Sequence, residues 1–148
     1  MSREGGPKDN DGDAGDPVLA VDQTSGIVYL AGTSPRNNGS NGIPVWKSTD
    51  GGVTFSSPVI AREDMLWTDK PWIAVDNGTG TGQHDVYLTC TKIVSNYLSN
   101  YSLVLTVSTN GDLHNWSAPV VIQELSTNVI GVNSAIVVVG PNHVGYVF

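Results

Sequence analysis

Between residues 62 and 70 the chain gathers Arg62, Glu63, Asp64, Trp67, Asp69 and Lys70. Cations, carboxylates and an indole at this spacing suit one kind of chemistry. They can hold a polyhydroxylated ligand, whose apolar ring face lies on a flat aromatic while its hydroxyls exchange hydrogen bonds with the charged groups. Arg36 in the polar loop from Gly32 to Gly42, and Tyr97 and Tyr101 in the polar loop from Lys92 to Ser102, extend this candidate ligand face. The same segment also reads as a charged connector with Trp67 tucked between layers. Glu63 and Asp64 are a poor acid/base pair, because adjacent residues rarely face one another.

Other reactive residues organise less well. His84, His114 and His143 all fall at turns and share no ligand spacing, so no metal site is expected from them. Asp9, Asp11, Asp13 and Asp16 invite a calcium reading, but counting from Asp9 puts Ala14 where an EF-hand needs glycine and Ala20 where it needs glutamate. A solvated acidic leader over residues 1–15 is the expectation. Cys90 is the only cysteine, which excludes an internal disulfide. In Val86-Tyr87-Leu88-Thr89-Cys90 it alternates with Val86 and Leu88, as a small buried apolar group would. No cofactor is indicated.

The formal net charge of −7 repels phosphate backbones and anionic membrane surfaces, so nucleic acid is not an expected partner. No apolar run is long enough to span a bilayer, and no secretory h-region follows Met1.

The elements that must position the candidate face are strands. Charged residues make up only 14%, there are 17 Gly and 8 Pro, and short runs rich in Val, Ile, Leu and Tyr are divided by Gly, Asn, Ser and Asp clusters. No segment keeps a helical period; the nearest, Ala61 to Leu66, is one to two turns long. The strands recur. Asp16 to Asp22, Ile27 to Ala31, Ile43 to Lys47 and Phe55 to Ile60 form one four-stranded meander over 16–60. A second runs over 69–122, with Pro17 matching Pro71 and Asp22 matching Asp76, both 54 residues apart. A half copy over 131–148 contains Ala135 to Gly140 and Val144 to Phe148.

The expected fold is therefore all-β, with four-stranded antiparallel meanders packed as propeller blades, two complete and half of a third. The ligand face would be built by loops joining fourth to first and second to third strands. Two and a half blades leave apolar faces uncovered, and three copies would supply two whole blades each to a six-bladed ring, a homo-oligomer.

Each meander carries the same turn. Ser48-Thr49-Asp50-Gly51-Gly52-Val53-Thr54-Phe55 reads as a tight hairpin turn in which Asp50 accepts backbone N–H bonds and the glycines supply positive φ. Sixty residues on, Ser108-Thr109-Asn110-Gly111 leads to Trp116, with Asn110 expected to make the local bonds of Asp50. These stretches resemble the Asp-box, S-x-D-x-G-x-x-W, of the sialidase (neuraminidase) superfamily, and the resemblance covers about Asp16 to Phe148. It implies a six-bladed propeller, a carbohydrate ligand, glycosidase activity in the full-length protein, and a secreted or cell-surface setting. It also implies that Ser48, Asp50, Gly52, Phe55, Ser108, Asn110 and Trp116 are structural and lie opposite the sugar site. It assigns no catalytic residue here: Gly15 stands where the family's first arginine would be, and no Asp or Glu lies between Asp22 and Asp50. A non-catalytic, lectin-like or protein-binding module is the alternative.

Overall fold

The computed structural model describes residues 15–36, 40–64, 67–93, 101–124 and 134–148; for Asp64, Trp67, Ile93 and Glu124 it describes the backbone alone. The chain is all-β. Strands β1 (Gly15–Val21), β2 (Val28–Pro35), β3 (Asn41–Ser48) and β4 (Val59–Asp64) form one antiparallel sheet in sequential order. Strands β5 (Trp67–Val75), β6 (Val86–Ile93), β7 (Tyr101–Ser108) and β8 (Val120–Glu124) form a second. A hairpin of β9 (Val137–Val139) and β10 (Gly145–Val147) follows.

The two sheets are copies down to their irregularities. Register shifts fall between Gly15 and Val18 on β1 and between Asp69 and Trp72 on β5, ahead of the matching ladders that pair Val21 with Val28 and Val75 with Val86. A further shift occurs at Ile43/Pro44 in β3 and Leu103/Val104 in β7.

Strand boundaries differ from the sequence expectation most at the junction of the two sheets. The fourth strand of the first sheet is Val59–Asp64 rather than Phe55 to Ile60. Residues 49–58 are occupied by the Asp50 turn and by Ser56, whose N–H donates to the Lys47 carbonyl at 2.8 Å, so the connection is a long loop and not a tight turn. As a consequence Arg62, Glu63 and Asp64 belong to β4, paired with Ile43, Gly42 and Asn41, and Trp67, Asp69 and Lys70 belong to β5. The supposed charged connector is two strand ends. An edge strand tolerates such residues because its side chains reach water.

Packing repeats with the sheets. The second sheet lays β5 against the first, and the hairpin lays β9 against β5 and β6. Tyr29, Ala31, Ile43 and Val45 from one side meet Ile73, Val75, Val86, Leu88 and Cys90 from the other in a single core. Position decides exposure. Ile73 and Val75 are 3% and 7% exposed, whereas Leu19 and Val21, which hold the same places one repeat earlier, are 59% and 46% exposed. Val137, the third-repeat equivalent of Ile73, is again buried.

Polar ties close each seam. Asn41 and Thr68 exchange reciprocal side-chain to carbonyl bonds at 2.7 Å, and the Thr89 hydroxyl donates to the Ala135 carbonyl at 2.6 Å. One tie occurs twice. The Asp22 carboxylate, at the end of β1, lies 2.6 Å from His84 Nδ1 in the turn before β6, and the Asp76 carboxylate, at the end of β5, lies 2.6 Å from His143 Nδ1 before β10. Ionised Asp can only accept, so Nδ1–H donates. Each histidine stands three residues ahead of the tyrosine of its strand, Tyr87 or Tyr146, in the left-handed region with φ of 70° and 63°. Gly78 and Gly82 leave the space that the His143 ring fills: a Cβ on either would come within about 3 Å of it.

Candidate functional site

The starts of the first strands of all three repeats converge. Asp16, Pro17, Val18 and Leu19 of β1, Lys70, Pro71 and Trp72 of β5, and Ser134 ahead of β9 line one cleft of about 450 Å³. Asp16, Lys70 and Ser134 are the same position taken from successive repeats. A cleft of this size accommodates a small ligand.

Local backbone chemistry builds it. Asp16 and Lys70 both precede a proline, and both adopt positive φ, 46° and 50°, at the two strand irregularities. Left-handed backbone is unfavourable for a side-chain-bearing residue, and a following proline narrows its choices further. The surrounding ladders hold this conformation in both copies, and such held strain is typical of residues that must be aimed. Here it aims Lys70 at Asp16, with Nζ 2.7 Å from Oδ2. Asp69 stands behind, 4.0 Å from Nζ, and its carboxylate accepts the Lys70 N–H at 2.8 Å. The hydrogen bond to Lys70 outweighs desolvation and lowers the Asp16 carboxyl below its ordinary value, while the same bond raises Lys70. Both are charged at neutral pH. With side chains 46% and 41% exposed, the pair contributes little to stability and remains open to a ligand. Trp72 supplies an indole that is 38% exposed.

Of the residues singled out in the sequence, Lys70 lines the cleft and Asp69 supports it. Arg36, Arg62 and Glu63 lie at the same end of the first sheet but away from the cleft, Arg36 just after β2 and the other two on the outer strand β4. Arg36 Nε is 3.7 Å from Glu63, whose carboxylate also accepts the Ser40 hydroxyl at 2.7 Å. Tyr101 opens β7, half-buried. Tyr97 lies outside the described residues, as do the side chains of Asp64 and Trp67. Asp16 and Trp72 were missed as ligand candidates, although strict alternation with buried Ile73 puts Trp72 on the opposite face.

A larger groove of about 630 Å³ lies at the other end of the strands, lined by Lys47, Ser56, Pro58, Asn110, Asp112 and His114 among others. It offers no aromatic platform, and Lys47 is drawn over the Tyr29 ring, 5.8 Å from its centroid. The cleft at the strand starts is the better candidate.

That opposite end carries the two Asp-box-like turns. Asp50 accepts the Val53 N–H at 3.0 Å, the Thr54 N–H at 2.9 Å, and the hydroxyls of Thr54 and Ser48 at 2.6 and 2.7 Å. Led by the Thr54 bonds, this set holds the Asp50 carboxyl far below the usual carboxylate range. Gly51 and Gly52 take the positive φ expected of them, 75° and 91°. Phe55 is half-buried beside this turn. In the second turn the Asn110 side chain makes no hydrogen bond among the described residues. Its N–H instead donates to Asp85 at 2.7 Å, and Ser108 donates to the Asp112 carbonyl at 2.6 Å. Left-handed Asn110, with φ of 56°, explains the change: its backbone, rather than its amide, makes the turn. Trp116 packs against the core. Asp50→Ala is therefore expected to lower the thermal midpoint while leaving events at the distant cleft unchanged, which calorimetry with and without ligand will show.

Among the described residues no three His, Cys, Asp or Glu side chains come together as a metal site, and no helix is long and apolar enough to cross a membrane. No family model matches the chain, and no curated protein is similar to it in sequence.

Proposed function

We propose that the chain is a run of sialidase-like Asp-box propeller blades that binds carbohydrate in the cleft at the starts of β1, β5 and β9. The observation that carries this reading is the convergence of equivalent positions from three repeats, Asp16, Lys70 and Ser134, beside an exposed Trp72. Rotation of like units about an axis brings like positions together near that axis. The propeller reading is further supported by the repeated stacking of β5 on the first sheet and β9 on the second. Exposed Leu19 and Val21 on one outer face and Ile136 and Val138 on the other fit units that further units would cover, in a completed ring.

Binding, rather than hydrolysis, is the activity these repeats support. A glycosidase needs a general acid that still carries a proton to deliver to the leaving-group oxygen. Asp16 is the carboxyl that lines the cleft, and its pairing with Lys70 keeps it ionised. Any hydrolysis would belong to residues elsewhere in a larger ring.

A glycan array probed with the labelled chain tests the proposal. Retention on at least one carbohydrate is expected, and Trp72→Ala should weaken it by roughly tenfold, the equivalent of losing about 1.4 kcal/mol of ring stacking. No retention on any glycan would overturn the reading.

A further inference from the structure

The charges in the cleft say more about the ligand, given the carbohydrate reading on which this step rests. We infer that the cleft selects an uncharged sugar with neighbouring hydroxyls and rejects a sugar carboxylate such as sialic acid.

The Lys70 ammonium is engaged by two carboxylates, Asp16 at 2.7 Å and Asp69 at 4.0 Å. Two carboxylates and one ammonium leave one negative charge uncompensated at the mouth of the cleft. A ligand carboxylate that sought Lys70 would have to displace Asp16 and then sit between like charges, which is unfavourable in a partly desolvated site. The field of the whole chain, at −7, has the same sign.

An uncharged sugar meets the opposite situation. Asp16 can only accept hydrogen bonds and Lys70 can only donate them. Two adjacent hydroxyls satisfy both: one donates to the Asp16 carboxylate while the oxygen of the other accepts from Lys70 Nζ. The ion pair need not be dissolved, because the hydroxyls attach to its exposed edges. Trp72 then receives the apolar C–H face of the ring, and Ser134, which lines the cleft from the third repeat, can exchange a hydrogen bond with a further hydroxyl. The left-handed backbone at Asp16 and Lys70 fixes the pair in advance, so little side-chain freedom is lost on binding.

Saturation-transfer NMR and tryptophan fluorescence on the full chain test this, with methyl glycosides of glucose, galactose and mannose, lactose and maltotriose as uncharged probes and methyl α-sialoside as the anionic one. At least one uncharged probe is expected to bind and the sialoside is not. Asp16→Asn and Lys70→Met, both on exposed side chains, should each weaken that binding by several-fold, and Asp16→Lys should admit the sialoside. Binding of the sialoside to the unaltered chain, lost in Trp72→Ala, would overturn the selectivity and leave the carbohydrate cleft standing. Binding of no probe while glycans on the array are retained would also overturn it, since the ligand would then need more than paired hydroxyls. Silence in both assays would remove the carbohydrate reading itself.

Discussion

Replacing Asp22 by alanine is expected to cost about 3 kcal/mol of folding stability, among the largest effects of any single polar substitution in this chain. The Asp22 carboxylate is 1% exposed and accepts four hydrogen bonds: from the N–H groups of Thr24 and Ser25 at 2.9 and 3.1 Å, and from the Ser25 hydroxyl and His84 Nδ1, both at 2.6 Å. Alanine would leave all four donors without their acceptor and cut the one side-chain bond between Asp22 and His84. For a chain of this size the loss corresponds to a fall in melting temperature of roughly 10 °C. Much of it should be coupling across the seam. In a double-mutant cycle with His84→Ala, an interaction term of about 1–2 kcal/mol is expected, because both residues serve one hydrogen bond between repeats. Additive losses would mean that Asp22 serves only its own turn.

The same group sets a pH dependence. Burial alone would raise the Asp22 carboxyl, but the Ser25 hydroxyl and N–H, His84 and the Thr24 N–H together outweigh it and bring the pKa down from 3.8 to about 2. A folded-state value below the unfolded one means that this stabilisation is complete above the unfolded pKa and disappears as pH falls through the folded one. The stability gap between the natural chain and Asp22→Ala should thus be constant above about pH 4 and close towards about pH 2, measured by urea unfolding across that range. A gap that widened on acidification would contradict the assignment.

What the sequence made legible follows from where backbone physics is strict. The strands, their order and their repetition were readable because Pro17 and Pro71, Asp22 and Asp76, and the Gly51-Gly52 turn are each demanded by local conformation. The Asp–His seam was not. The two aspartates are 54 residues apart, but the turn after Asp76 is longer than the turn after Asp22, so the histidines fall out of step with the repeat. The signal lay in counting back from the tyrosine: Gly26, His84 and His143 are equivalent, and all three have positive φ. Gly140 likewise follows Val139 where Asp22 follows Val21 and Asp76 follows Val75. The first repeat therefore lacks the histidine and the third lacks the aspartate, so the clasp serves the two internal seams and neither outer face. Lys70, which lines the cleft, and Asp69, which supports it, stood out in the sequence because charge is conspicuous at the head of an apolar strand. Asp16 was hidden because it groups with Asp9, Asp11 and Asp13 as a calcium candidate and otherwise reads as the first residue of a strand, and Trp72 by its place in a strand that reads as core.

Equivalent positions with unequal surroundings give the sharpest test of the stacked arrangement. Ile73→Ala is expected to destabilise the chain by about 3 kcal/mol, since a buried isoleucine loses its transfer free energy and leaves a cavity that its neighbours only partly fill. Ile73 is 3% exposed and sits among Tyr29, Ile43, Val45 and Val75 in the core that joins the two sheets. Leu19 occupies the same place in the first repeat but is 59% exposed, because among the described residues no sheet covers that face. Leu19→Ala should therefore change stability by less than about 0.5 kcal/mol. Equilibrium unfolding of the two variants at several protein concentrations separates the possibilities. A small loss for Leu19 at every concentration matches an open outer face. A loss for Leu19 that approaches that for Ile73 and grows with concentration would show that a second copy covers this face in solution, completing outside the chain the packing that Ile73 makes within it.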